Sequence, residues 1–368
     1  MEKPRSIVLG EDDLAIRFLA QKAQAAEDVA GWLIAFIGGA RRSLDLALYD
    51  CRLSAPLGAA LAAALHERVA AGVAVRIVYD ADKPEPPQLQ SGQDPAAPGT
   101  GAFIQSLGLP FQRIGGPKLM HHKYLVRDAG EAEAQVWTGS TNFTDDAWTL
   151  QENNIVVLAS AVLVAAYARD FADLWRAQQN DGTGEFDVPP ATLRYAGAPL
   201  TARLFFSPGR GLAIDEAVAA RVAGARRRVR ICSMLLNSGT LLDALRGLLD
   251  GGWVAVDGLY DRTQMADVLR QWADVPHNVW KIAAVADIVA RAGLVGKESR
   301  RYSPEAPHDF MHNKVLIVDD TVITGSYNFS RSAQFNAENL LFLDSPALAA
   351  RYSDYLDEQL ARYGGRGA

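Results

Sequence analysis

The chain has 368 residues, 49% hydrophobic and 22% charged, a composition that fills a packed core and excludes a disordered, collagenous or coiled-coil protein. No apolar run approaches the ~20 residues of a membrane helix, the N-terminus (MEKPRSIVLGEDD) turns acidic where a leader would be apolar, and Cys51 and Cys232 are too few for a disulfide framework, so a cytoplasmic location is expected. With 37 basic and 43 acidic residues the net charge is −6, which excludes coating of nucleic acid by a global field and leaves local basic sites as the only way to hold a polyanion.

In chain order, a basic turn leads into a strand (GGARRSLDLALYDCRL, 38–53), a helix closes on Gly (LGAALAAALHERVAAG, 57–72), and a second strand ends in Tyr-Asp (VAVRIVYD, 73–80). A Pro/Gly loop (83–101) precedes MHHKYLVRD (120–128), GSTNFT (139–144), the strand NNIVVLA and a helix capped by Ser160. The segment 180–199, dense in Gly and Pro, reads as a linker.

The same order then recurs: AGARRRVRICSMLLNS (223–238), TLLDALRGLLDGG (240–252) and WVAVDGLYD (253–261), again ending Tyr-Asp. An insertion with helical pattern (262–307) precedes MHNKVLIVD (311–319), GSYNFS (325–330), NLLFLD and a helix with Ser345 at its cap and Pro346 at its first position. The histidine motifs stand 191 residues apart and the Gly-Ser motifs 186 apart, the difference being a longer hairpin turn (129–138) in the first copy; Glu152 and Glu338 keep the 186 spacing. The chain is therefore a tandem β-α-β…β-hairpin-β-α duplication, with repeats at 1–180 and 201–368 joined by 181–200.

H-x-K-x4-D occurs at His121, Lys123, Asp128 and again at His312, Lys314, Asp319, in a chain with only six histidines. Lysine stands out as well, because the sequence has 8 lysines against 29 arginines. Residues two apart on a strand share a face, so each histidine points with its lysine. These types suit a phosphodiester, whose phosphorus needs fixed positive charge and hydrogen-bond donors. Lys123 and Lys314 supply charge; Ser140, Asn142, Ser326 and Asn328 supply donors to nonbridging oxygens. One histidine can attack phosphorus while the other protonates the departing oxygen, and Glu152 and Glu338 are placed to hold an imidazole by its second nitrogen.

Two copies of H-x-K-x4-D with G-S-x-N resemble the phospholipase D superfamily over nearly the whole chain. The resemblance implies an α/β fold of two mixed β-sheets flanked by helices, related by a pseudo-twofold that brings one histidine from each half to a single site. It also implies a covalent phosphohistidine intermediate without metal or other cofactor, His121 as nucleophile, His312 as acid then base, and structural roles for Asp128 and Asp319. GSTNFTDDAWTLQENN and GSYNFSRSAQFNAENLLF are similar to the superfamily's nucleases, whereas cardiolipin synthases tend to carry G-S-x-N-L-D after membrane helices. Basic residues at 113–127 (Arg113, Lys118, Lys123, Arg127) and 297–314 (Lys297, Arg300, Arg301, Lys314, against Glu298, Glu305 and Asp309) form a rim suited to phosphates. The expected partner is single-stranded or short nucleic acid, with phospholipid headgroups as the alternative substrate and a silent nucleic-acid clamp as the third possibility. Both histidines lie on one chain, so a monomer can be active.

Blander roles stand beside these. His121–His122 with Asp145–Asp146, or His308 with His312, could be read as a metal site, but strand neighbours point to opposite faces and no cluster supplies the ligands, so His122 reads as structural and no metal is expected. His66 and His277 read as ordinary positions, Ser140 and Ser326 also as turn formers, and Arg41–Arg42 and Arg226–Arg228 as solvated turns. Trp272, Trp280, Ile282, Val285, Ile288 and Leu294 read as a local core, or as an apolar lip for a lipid surface.

Overall fold

The structure, a computed structural model, describes residues 6–81, 99–303 and 306–364. Most of the Pro/Gly loop at 83–101, and Glu305, lie outside the described residues.

The first half runs β1 (Leu14–Leu19), α1 (Ala26–Gly38), β2 (Ser43–Leu48), β3 (Cys51–Arg52), α2 (Ala55–Ala70), β4 (Ala74–Asp80), α3 (Thr100–Ser106) and β5 (Phe111–Ile114). It continues through β6 (Lys123–Arg127), β7 (Gln135–Gly139), β8 (Phe143–Thr144), α4 (Asp145–Thr149), β9 (Asn153–Leu158) and α5 (Ala161–Ala177). The second half runs β10 (Ala191–Tyr195), β11 (Ala198–Ser207), α6 (Gly211–Ala223), β12 (Arg228–Ser233), α7 (Gly239–Gly251), β13 (Ala255–Asp261) and α8 (Arg262–Ala273). It ends with α9 (Val279–Arg291), β14 (Val295–Lys297), β15 (Lys314–Val318), β16 (Thr321–Gly325), β17 (Glu338–Asp344) and α10 (Pro346–Gly364).

The sheets repeat one another. The first has the order β1-β9-β7-β6-β2-β4-β5, the second β11-β17-β16-β15-β12-β13-β14 with β10 added at its edge. In both, the βαβ crossover pairs its strands in parallel (β2 with β4, β12 with β13) and the hairpin strands pair antiparallel. The segment read as a linker departs from expectation: β10 and β11 form an antiparallel hairpin that belongs to the second sheet. Its alternation (Leu193 in, Arg194 out) is the strand signal that the surrounding Gly and Pro hid.

Central strands are buried at every position because both faces are covered. One face of each sheet packs on α1 and α2, or on α6, α7 and α9, in two separate outer cores. The other faces share a single core, in which Tyr124, Val136, Val156 and Tyr167 of the first half meet Val315, Val322, Leu341 and Tyr352 of the second. Isolated bridges Met120↔Ala337 and Glu152↔Met311 stitch the halves together beside the two histidine motifs. In the insertion, Trp272, Val285, Ile288 and Leu294 join the second outer core, while Trp280 remains 41% exposed.

Candidate active site

Each histidine precedes a central strand, β6 or β15, and is fixed at three points. The Tyr-Asp strand ends come first: Asp80 Oδ1 accepts from Met120 N (2.7 Å) and Asp261 Oδ2 from Met311 N (2.9 Å). The opposite half then holds the backbone, with His121 N donating to Ala337 O (2.9 Å) and His312 N to Glu152 O (3.1 Å). Finally, Lys123 Nζ donates to His121 O (2.7 Å) and Lys314 Nζ to His312 O (2.6 Å). His121, His312, Asn142 and Asn328 line one cavity of about 690 Å³, with Tyr49 and Asp50 beside them. Tyr49 packs edge-on against His121 and lies under the Lys123 ammonium.

The second nitrogen of each ring is held across the duplication, and not in the same way. His121 Nδ1 meets Glu338 Oε2 at 2.7 Å, while Asn336 Nδ2 donates to Glu338 Oε1 at 3.1 Å. His312 Nδ1 meets Asn153 Oδ1 at 3.0 Å. Asn153 Nδ2 donates to the Ala147 carbonyl (3.1 Å), which fixes the amide and makes the facing Nδ1 a donor. Both rings therefore keep Nε2 for the cavity, but a carboxylate stands behind His121 and a neutral amide behind His312.

Glu152 corrects an expectation. Its side chain holds neither imidazole: the carboxylate is buried against Lys297 Nζ (2.5 Å), the Tyr363 hydroxyl and Gln21 N (3.3 Å). The cause is a difference of one residue. After G-S-x-N the first copy folds the helical turn α4 where the second folds a tighter 3₁₀ turn at Ser332–Gln334. Glu152 thereby falls at the place of Ala337, and Asn153 at the place of Glu338.

Ser140 and Ser326 are corrected as well. Both are fully buried and, like Lys123 and Lys314, lie behind the residues that line the cavity, and their hydroxyls are engaged there. Ser140 Oγ donates to Asn153 Oδ1 (2.8 Å) and Ser326 hydrogen-bonds Glu338, so each props the group behind a histidine. The preceding glycines explain the burial. Gly139 (φ +132°) and Gly325 (φ +157°) press onto the Asn154 and Asn339 carbonyls, where a Cβ would sit 2.3 Å away.

Asn142 and Asn328 do face the cavity, and their Oδ1 atoms have no partner among the described residues. The motif aspartates lie elsewhere: Asp128 accepts from the backbone N–H of Arg41, Arg42 and Ser43, and Asp319 from those of Arg226, Arg227 and Arg228. His122 is buried against Asp170 (3.1 Å) and Asn339 (3.2 Å), and Asp146 accepts from His308 N (2.8 Å). Sequence reasoning missed Asn153, Asn336, Asp80 and Asp261; the repeated Tyr-Asp was the visible signal for the last two.

Electrostatics follow from crowding four cation-forming groups around one carboxylate. Burial, then Lys123 and Lys314, push His121 well below the usual histidine range; burial, then Lys314 and Lys123, do the same to His312. Burial brings Lys123 down to about 7, and Lys314 is pushed well down by burial and then by Lys123. Burial lifts Glu338 to about 7 against the pull of Lys123. A phosphodiester oxygen placed among these groups would relieve the repulsion.

Comparison with known proteins points the same way. The family described as cardiolipin synthase, PLD-like domain, matches twice, over residues 33–175 and 218–360. Mitochondrial cardiolipin hydrolase of Xenopus laevis is 32% identical over 157 residues, which is 43% of this chain and 61% of that protein. The human protein of the same name is 27% identical over 177 residues, 48% of this chain and 62% of that one. This chain thus spans about three fifths of the length of these curated relatives. The crystal structure of phosphatidylserine synthase from Haemophilus influenzae superposes with a TM-score of 0.65 at 16% identity, covering 95% of this chain and 86% of that one, a likeness of fold. With both halves matched and two such units folded about one cavity, the chain belongs to the phospholipase D superfamily.

Proposed function

We propose that the protein is a nuclease that cleaves single-stranded or short nucleic acid through a covalent phosphohistidine, with its lysines rather than a metal supplying positive charge. His121 Nε2 attacks phosphorus, and the bond from phosphorus to the leaving oxygen breaks while His312 gives that oxygen its Nε2 proton. Water then attacks phosphorus, His312 takes a proton from it, and the P–N bond breaks to restore His121. The unequal partners support this division. An imidazole that bonds phosphorus becomes cationic and gains from the Glu338 carboxylate, whereas an acid works best with the neutral Asn153 behind it. Lys123, Lys314, Asn142 and Asn328 are assigned to the nonbridging oxygens. The substrate's own charge offsets the lysines and lifts His312 toward protonation.

The observation that carries the substrate is a column of rings in the cavity wall. Tyr302 and His308 stack at 5.1 Å and 25°, His308 and Phe310 at 4.8 Å and 12°, and all three line the cavity. A nucleobase stacks on such a platform for about 1–3 kcal/mol, and an acyl chain has no equivalent use for it. The relatives named for cardiolipin favour phospholipid headgroups as the second reading.

The test is cleavage of labelled single-stranded DNA and RNA, beside cardiolipin vesicles, in excess EDTA with wild type, His121→Ala and His312→Ala. Nucleic-acid cleavage that persists in EDTA and is lost in both variants supports the proposal. Cleavage of vesicles alone would replace the substrate, and loss of all activity in EDTA would overturn the mechanism.

A further inference from the structure

The cavity that holds the histidines does not end at them. A second cavity of about 510 Å³ adjoins it, and Asn237, Val268, Gln271 and Ser332 line both. Its outer wall is the insertion, through α8, α9 and the turn between them. Lys118, Lys281 and Arg331 line it, and no carboxylate does. That is an anomaly in a chain with more acids than bases, where two other buried cations of this half are paired, Arg230 with Asp257 and Asp357 and Lys297 with Glu152.

Lys281 is only 8% exposed and stands over the Trp272 ring at 5.3 Å. Neither it nor Arg331 makes an ion pair among the described residues. Burial, then the Arg331 guanidinium, push the Lys281 ammonium below its usual range. Asp215, the carboxylate that acts on Lys281, is already bound by Ser238 Oγ (2.6 Å) and by Thr240. Two cations held together with no ion pair of their own, and only the more distant Asp215 acting on Lys281, form a place for an anion from outside. Phe335, 47% exposed, and Trp272 add ring surface to the same cavity.

We infer that this trough is a second phosphate subsite, in which Lys281 and Arg331 take the phosphate next to the scissile one while Phe335 packs against the intervening nucleotide. The inference rests on the nuclease reading and deepens it: the preferred substrate carries at least two phosphodiesters. Recognition is lopsided, because the insertion belongs to the second half and so places the extra contacts on one side of the histidine pair.

The experiment compares a dinucleotide, which has one phosphodiester, with a trinucleotide, which has two. Turnover is read with the wild-type chain, and binding by fluorescence anisotropy with the His121→Ala chain. The trinucleotide should bind and turn over about tenfold better, and Lys281→Gln/Arg331→Gln should bring the two substrates within about twofold and lower the salt dependence of trinucleotide binding by roughly 0.7 per cation removed. Arg331→Gln alone, at an exposed position, should give about half that effect on a logarithmic scale and guards against a folding defect around Trp272. Equal losses on both substrates, or no trinucleotide advantage in binding, would overturn the subsite. A binding advantage that depends on Lys281 and Arg331 without cleavage of either substrate would leave the subsite standing and remove the nuclease reading.

Discussion

Glu338→Gln tests the division of labour between the histidines. As His121 bonds phosphorus its ring gains positive charge, and the Glu338 carboxylate sits 2.7 Å from Nδ1. Two unit charges about 4 Å apart at an effective dielectric near 20 attract by about 4 kcal/mol. The glutamine oxygen remains as a neutral acceptor and returns roughly 1 kcal/mol. The difference of about 3 kcal/mol slows phosphoenzyme formation on the order of 150-fold. The deficit also depends on pH in a defined direction. Burial lifts Glu338 to about 7, so below that value wild type carries a neutral acid and resembles the variant, and above it the gap opens fully. His121 is pushed the opposite way, well below its usual range, by burial and then by Lys123 and Lys314. The assay is single-turnover rapid quench of a labelled phosphodiester from about pH 5.5 to about pH 8.5. A deficit equal at both ends, or one below about fivefold at the alkaline end, would refute the assignment of Glu338 to the nucleophile.

Four other outcomes are expected. Asn153→Asp puts a carboxylate behind the acid, so the pH limb assigned to His312 should move up by about 1–2 units in kcat profiles; no movement would detach Asn153 from that proton. Lys123 lies at about 7 in the fold against 10.5 when free, so its burial costs stability fully below about pH 7 and progressively less up to 10.5. Lys123→Met should therefore abolish turnover yet resist urea better by a few kcal/mol near pH 6, and a variant weaker than wild type there would contradict the cost. Near pH 8 the Lys123 amine is roughly 10% protonated, so binding of vanadate or phosphate should take up close to one proton in calorimetry across buffers of different ionisation enthalpy; proton release would sink that account. Mixing His121→Ala with His312→Ala chains should restore nothing if both histidines act within one chain, and restored activity would mean that halves exchange.

The duplication was legible because H-x-K-x4-D and G-S-x-N both recur, 191 and 186 residues on, and the repeated β-α-β pattern carried the two mixed α/β units. The imidazole partners were not. Equal spacing placed Glu152 opposite Glu338, and one extra residue in α4 slid it onto Lys297 instead. Nor does a local pattern record that Glu338 serves the histidine 217 residues before it. Ser140 and Ser326 looked like ligand donors because the burial of a Gly-Ser bend depends on the strand behind it, through Gly139 on Asn154 and Gly325 on Asn339. The trough at Lys281 and Arg331 required the insertion to fold back beside the cavity, which helical periodicity alone does not specify.

The crossed pairing of His121 with Glu338 and His312 with Asn153 bears on why the copies share one polypeptide. A symmetric homodimer of a single unit must put the same residue behind both rings, so whatever favours the attacking imidazole is imposed on the proton donor too. Joining the genes breaks that tie: position 153 can lose its carboxylate while position 338 keeps one. The exchange also removes independence. Neither half holds the Nδ1 of its own histidine, so a change at position 338 is felt first in the other copy.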